Sequence, residues 1–416
     1  MNRQMAVALL TGGGDHPYVF GLTTVLLPKD VDIDLIGSDE LDLPEFRGKP
    51  GLTFLNLRGD VRTDAGYLHK IIRVIVYYAR LFRYAAIAKP RIFHILWNNK
   101  FETLDRTLLM LYYRWLGKKI VFTAHNVNKA TRDSNDTALN RLTLRIQYRL
   151  SDHIFVHTQK MKYELIQAMR VPEEKITVIP FGINNAVPYT SLTPEEARLR
   201  LGIRPEHKVL LFFGRIVPYK GLEYLVDAFR QRMACDENCR LIIAGKPRED
   251  CLNYWAPIKE GLRPEIEAGR VLLRADFIPN DETEVYFKAA DALVLPYRYI
   301  YQSGVLFLAH SFGLPVLAAD VGSLKDDIVE GSTGFVFRPE DTKDLAKTID
   351  RYFSSDLYAR LDMRRPNIRE HAIEAHSWDK VAELTLSVYL DLLGRTSSPV
   401  EVRGFAPNHA ETSIEE

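Results

Sequence analysis

Short apolar runs separated by longer helical patterns organise the first 180 residues: AVALL, DIDLI, LTFLNL, RIFHILW, KIVFTAH, HIFVHT and ITVIPF. Runs without strict alternation, bounded by helical segments, predict parallel strands covered by helices on both faces. A turn-rich stretch over 188–198, with Pro188 and Pro194, reads as a linker. The pattern then restarts with VLLFFG, RLIIAG, RVLLRADF, ALVLP, PVLAAD and GFVF, again with helices between. Two doubly wound α/β domains are therefore expected, over 1–187 and 199–366. From Thr342 to Leu393 the pattern is helical, and the polar tail 394–416 is expected to be disordered.

Composition changes this picture little, but the distribution of charge changes it. The 416 residues carry a net charge of +1, which argues against a general nucleic-acid binder. Tyr67 to Arg149 nevertheless holds 16 Lys and Arg against 4 Asp and Glu, a local excess of +12. Within it, His69 to Ala88 is apolar enough to resemble a membrane span, yet Arg73, Arg80 and Arg83 fall at helical spacing and make spanning costly. Two readings stand for this amphipathic helix: a domain helix with solvated arginines, or a helix lying on an anionic membrane surface with Arg141, Arg145 and Arg149 in support. Cys235, Cys239 and Cys251 have no neighbouring histidine to complete a zinc pattern, so reduced thiols and a cytoplasmic location are expected. Met5 to Leu10 is too short for a signal-peptide core and reads as the first strand.

Candidate chemistry gathers at strand ends, where open α/β sheets bind ligands. Gly12, Gly13 and Gly14 follow the first strand and lead into Asp15, His16 and Tyr18, either a plain tight turn or a backbone that a ligand approaches closely. His125 ends KIVFTAH and points into the same crevice, where it could donate to a sugar hydroxyl or stabilise developing positive charge through its carbonyl; His94, His153 and His157 read as structural. In the second series, Arg215 and Lys220 lie in a turn between a strand and a helix start, a fork and a point charge suited to a diphosphate. Gly245, Phe277 and Ile278 sit at further strand ends, where a base and ribose could bind. Ser303, Gly304 and Val305 open another helix, whose unpaired N–H groups could hold phosphate; the alternative is an ordinary N-cap with a packing glycine. Asp32-Ile33-Asp34 is formally an Asp-x-Asp pair, but it lies inside a strand, and no metal site is expected.

Together these residues resemble the GT-B glycosyltransferases, and within them the large retaining family four. The likeness rests on the glycine loop, His125, KITVIPFGINN, GRIVPYKG, AADALVLP and FGLPVLAADVGSLKDDIVEGSTGFVF, in that order. The resemblance implies two Rossmann-like domains facing across a cleft, with residues 367–393 crossing back to the first as a helix. It implies a nucleotide diphosphate sugar as co-substrate, no cofactor and no metal. Arg215 and Lys220 would hold the diphosphate as catalytic groups, the amides of Gly13, Gly14 and Ser303 to Val305 would approach the donor phosphate, and His125 would lie near the anomeric end of the sugar. Asp15, His16 and Tyr18 would contact sugar or acceptor. The basic first domain suggests a lipid-linked or surface-glycan acceptor. One departure is clear: two glutamates eight residues apart are expected near this helix, and Ile300 and Leu308 occupy their places. That loss supports an alternative of another class, a non-catalytic GT-B protein that binds a glycan or a partner at the membrane surface.

Overall fold

The computed structural model describes residues 5–12, 14, 16–59, 66–133, 135–184, 186–233 and 236–395. All thirteen apolar runs form strands. The first domain contains β1 (Met5–Leu10), β2 (Val31–Gly37), β3 (Leu52–Asn56), β4 (Ile92–Ile95), β5 (Lys119–Thr123), β6 (His153–Val156) and β7 (Ile176–Val178), in the order β3-β2-β1-β4-β5-β6-β7. The second contains β8 (Lys208–Phe213), β9 (Cys239–Ala244), β10 (Val271–Arg274), β11 (Ala292–Leu295), β12 (Val316–Ala319) and β13 (Gly334–Phe337), in the order β10-β9-β8-β11-β12-β13. Every pairing is parallel. Central strands such as β4 and β11 are buried along their whole length, which is why they read as unbroken apolar runs. The winding direction reverses between β1 and β4 in one sheet and between β8 and β11 in the other, and both reversals leave a crevice at the carboxyl ends of the strands.

Two expected boundaries change. Residues Pro194–Arg200, which begin inside the expected linker and run past its end, are a helix. The Thr193 hydroxyl accepts from the Glu196 N–H at 3.2 Å and the Glu196 carboxylate accepts from the Thr193 N–H at 2.9 Å, with proline in the first turn, so the segment caps itself despite its two prolines. Arg198 then ties it to the second domain by an ion pair with Asp291 at 2.8 Å and a bond to the Ala289 carbonyl at 3.1 Å. The crossing back also comes later than expected. Leu361–Ala375 is a separate helix that stays on the second domain, beside the helix Gly304–Ser311, and the chain crosses only at His376 and Ser377.

The final helix, Trp378–Leu392, belongs to the first domain's core. Its Trp378 indole fills a slot between Gly21 and Gly182, where a Cβ on either glycine would come within 2.1 or 2.3 Å of the ring. Trp378 Nε1 donates to the Ile183 carbonyl at 2.7 Å, and the Tyr389 hydroxyl lies 2.6 Å from Nδ1 of buried His94. His94 Nε2 meets the Thr123 hydroxyl at 2.7 Å, as suits a structural histidine. Residues 396–416, most of the expected disordered tail, lie outside the described residues, and among those described no helix is long and apolar enough to cross a membrane.

Candidate functional site

The first domain lines the cleft with rings. The loop after β1 closes through the Gly14 N–H, which donates to the Thr11 carbonyl at 2.9 Å; Gly13 and Asp15, both expected here, lie outside the described residues. Gly14 lies so close to Trp97, beyond the end of β4, that a Cβ would sit 1.9 Å from the indole. Trp97 stacks on His125 with centroids 3.9 Å apart and planes 7° from parallel. Tyr18, expected to contact sugar or acceptor, is instead only 2% exposed, because its helix His16–Leu26 turns it inward against Trp97, His125, His157 and Trp378. His16 remains nearer the surface, its Nε2 3.4 Å from Glu40.

A chain of hydrogen bonds assigns the proton on His125. His157 Nδ1 faces the Ile179 carbonyl at 3.3 Å, and a carbonyl only accepts, so the proton is on that nitrogen. Burial holds His157 neutral, with its pKa lowered to about 4, so its Nε2 is an acceptor. That nitrogen lies 3.0 Å from His125 Nδ1, which must donate. Burial, followed by the influence of His157 and His94, also holds His125 well below the usual histidine range. Its Nε2 is therefore an acceptor, buried and without a hydrogen-bond partner among the described residues. The expectation that His125 donates to a sugar hydroxyl is thus reversed, and this nitrogen can only receive a hydroxyl proton in a hydrogen bond.

The second domain lines the cleft with charge. Gly214 follows β8 at φ +97°, a conformation that favours glycine. A Cβ there would lie 2.9 Å from Lys220 Nζ and 3.7 Å from a Val305 methyl, so the Arg215 loop, Lys220 and the start of the helix Gly304–Ser311 converge on one point. Lys220 is 7% exposed, with its ammonium 5.5 Å from the Tyr297 ring centroid and 5.9 Å from that of Phe212. Among the described residues it has no carboxylate partner. Burial, then Arg215 and Arg132, lowers its pKa from 10.5 to about 7. Burial thus disfavours its charged form, and a neighbouring anion would favour it. Ser303 is buried and its side chain makes no capping bond, so it leaves the first N–H groups of this helix uncapped.

Beside this cationic point lies a cavity of about 660 Å³, lined by Phe213, Gly214, Arg215, Gly245 to Asp250, Phe277 and Ile278. The structure thus brings Gly245, Phe277 and Ile278 together next to Arg215. Phe277 is 73% exposed, a free ring face at the cavity. The volume, and a lining that sets Phe213, Phe277 and Ile278 beside charged side chains, suit a nucleoside. Asp34, set aside as a metal ligand, accepts from the Tyr84 hydroxyl at 2.8 Å, and among the described residues no group of three His, Cys, Asp or Glu is placed to hold a metal ion.

Two family models match the chain: Glycosyltransferase Family 4 over residues 13–187 and Glycosyl transferases group 1 over 207–355. The chain belongs to the GT-B glycosyltransferases of the family-four type. Similar glycosyltransferases include an uncharacterised one from Methanocaldococcus jannaschii, 28% identical over 59% of this chain and 62% of its own length. The D-inositol 3-phosphate glycosyltransferases of Corynebacterium aurimucosum and Acidothermus cellulolyticus are 26% and 23% identical, over 66% and 92% of this chain and 66% and 86% of their own lengths. The chain therefore spans less than two thirds of the length of the first two relatives. In fold it is similar to sucrose-phosphate synthase from Thermosynechococcus elongatus (TM-score 0.76, 19% identity, 94% of this chain and 100% of that one). It is also similar to Anabaena HepE in complex with UDP-glucose (0.70, 17%, 92% and 99%) and to WaaG, a glycosyltransferase involved in lipopolysaccharide biosynthesis (0.64, 16%, 92% and 99%).

Leu308 is buried in the second domain's core, and Ile300 packs against the same core. Several residues of the site escape sequence reasoning. His157 reads as structural until its contact with His125 is seen, and nothing in its spacing announces that contact. Trp97 and Phe181 complete the ring cluster, and Phe181 also stacks on Phe307 of the second domain with centroids 5.9 Å apart. Arg132, from the first domain, lies over the Tyr219 ring at 4.5 Å while ion-paired to Asp133 at 2.9 Å.

Proposed function

We propose that this protein transfers a hexose from a nucleotide diphosphate sugar to an acceptor hydroxyl, with retention at the anomeric carbon and without a metal. The observation that carries this reading is the buried, carboxylate-free Lys220, which meets Arg215 and an uncapped helix start beside a nucleoside-sized cavity. Charge builds on the leaving diphosphate as the glycosidic bond breaks, so these donors interact more strongly with the transition state than with the ground state. The acceptor hydroxyl attacks from the face the phosphate leaves, and its proton passes to that phosphate. Arg215 and Lys220 stabilise the departing charge, and His125 Nε2 accepts from a sugar hydroxyl, fixing the ring against Trp97. The UDP-glucose complex of HepE, a protein of the same fold, supports a nucleotide-sugar donor.

The acceptor side is the basic first domain, which favours a lipid-linked or surface-glycan acceptor at the cytoplasmic face of a membrane. The test is a thermal-shift panel of UDP-, GDP-, ADP- and dTDP-sugars, followed by donor hydrolysis and transfer assays with and without EDTA. At least one nucleotide sugar is expected to stabilise the protein and to turn over in EDTA, giving a product of unchanged anomeric configuration by NMR. Stabilisation without turnover would favour the non-catalytic binding protein, and no stabilisation at all would remove the nucleotide site.

A further inference from the structure

Three helical segments lie side by side on one face of the first domain's sheet: Tyr67–Ile87, residues 102–115 and Ala138–Leu150. The Tyr112 ring packs on Phe82 at 4.9 Å, and Arg106 donates to Asn140 at 2.7 Å, so each segment touches the next. Their inner faces bury Tyr77 and Leu81, Leu109 and Tyr113, and Leu144 and Tyr148 in the core. The outer faces carry arginines, among them Arg80, Arg83, Arg114, Arg141, Arg145 and Arg149, but large apolar side chains stand exposed between them. Of the nineteen exposed large apolar side chains among the described residues, eleven fall between 67 and 150. Ile72 and Ile75 represent the first helix, Leu108 and Leu111 the second, and Leu139 and Leu142 the third. A patch spread over three adjacent helices marks an interaction surface.

Charge identifies the occupant. Each segment precedes a strand that starts at the far edge of the sheet, so each helix begins at the cleft edge, and Ile72, Ile75, Leu108, Leu139 and Leu142 lie in the halves nearest the cleft. Exposed arginines run along the same helices, Arg141 beside Leu142 near the cleft and Arg80, Arg83, Arg145 and Arg149 farther from it, in the segment whose excess is +12, and Trp115 stands 80% exposed at the far end of its segment. Exposed apolar side chains interleaved with arginines and an indole match an anionic bilayer, with acyl chains under the apolar side chains and headgroups at the snorkelling cations. A second copy of the chain would bring the same arginines against one another.

We infer that this three-helix face docks on an anionic lipid surface, apolar side chains inserted, so that the mouth of the cleft is held at the membrane. Docking extends the lipid-linked acceptor reading and is measured separately from it. The experiment is flotation of the full chain with vesicles of phosphatidylcholine alone or with about one third phosphatidylglycerol. Binding is expected to be at least about tenfold stronger on the anionic vesicles and to fall at high salt. The double variant Ile75→Asp, Leu111→Asp should lose about tenfold, and Arg80→Gln, Arg83→Gln should lose severalfold along with much of the salt dependence. Both should keep the wild-type melting temperature and nucleotide-sugar stabilisation. Equal binding to neutral vesicles, or wild-type binding by the Asp variant, overturns the inference. So does a dimer in solution that the Asp variant dissociates, because a second copy would then cover the face. Failed flotation with intact nucleotide binding removes this surface alone, whereas failed nucleotide binding with intact flotation removes only the proposed donor site.

Discussion

The two walls of the cleft differ in how they are prepared for a ligand. The first domain presents Trp97, His125, His157 and Tyr18, stacked or edge-on to one another, with both imidazoles held neutral by burial. The second presents Lys220, Arg215 and an uncapped helix start around a single point. One wall holds neutral rings, and the other holds a cation that burial disfavours. Shape and hydrogen-bond direction should therefore dominate on the first wall, while charge dominates on the second. Arg132 is the exception, a cation from the first domain that reaches across to Tyr219.

The sharpest way to break this contrast is Lys220→Ala. Losing a transition-state charge contact should lower kcat at least about a hundredfold, roughly 2.7 kcal/mol, in steady-state transfer assays; an unchanged kcat would mean the phosphate sits elsewhere. The next effect concerns pH. A bound phosphate favours protonated Lys220 and raises its pKa, so donor affinity should be complete below about pH 7 and weaken by up to about tenfold per pH unit above it, until the pKa of the bound state is passed. Calorimetry in buffers of different ionisation enthalpy should record proton uptake on binding above pH 7, and a flat profile would contradict the charge wall. On the ring wall the effects should be smaller. His157→Gln keeps an acceptor near His125 and should stay within a few-fold of wild type, whereas His157→Leu removes it, frees the His125 tautomer and should reduce kcat/KM about tenfold. The smallest expected signal is none: the ring resonances of His125 and His157 should not titrate between pH 8 and about 5.5. A titration step there would mean the ring wall carries charge after all.

Much of the fold was legible because parallel strands buried on both faces leave continuous apolar runs, and each of the thirteen became a strand. Local chemistry was legible too: Arg215 and Lys220 stand out as cations in a turn between a strand and a helix, close in sequence as well as in space. What stayed hidden depends on distant contacts. The His125–His157 bond joins residues 32 apart, and Trp97 reaches His125 from a different strand. The direction of the His125 proton depends on the Ile179 carbonyl, a third segment again. The helix Pro194–Arg200 was hidden for another reason: two prolines suggested a linker, while Thr193-Pro194-Glu195-Glu196 was already a self-capping start.

The return of Trp378–Leu392 to the first domain means that this domain is not one continuous length of chain. Its opening strands leave the ribosome first, yet the slot between Gly21 and Gly182 stays unfilled until Trp378 has been made. The second domain's strands and the helix Leu361–Ala375 are all translated before that residue, so the later domain can complete its fold before the earlier one. A chain stopped at residue 377 would contain both sheets and still leave Tyr18, Val19 and Leu22 without their cover.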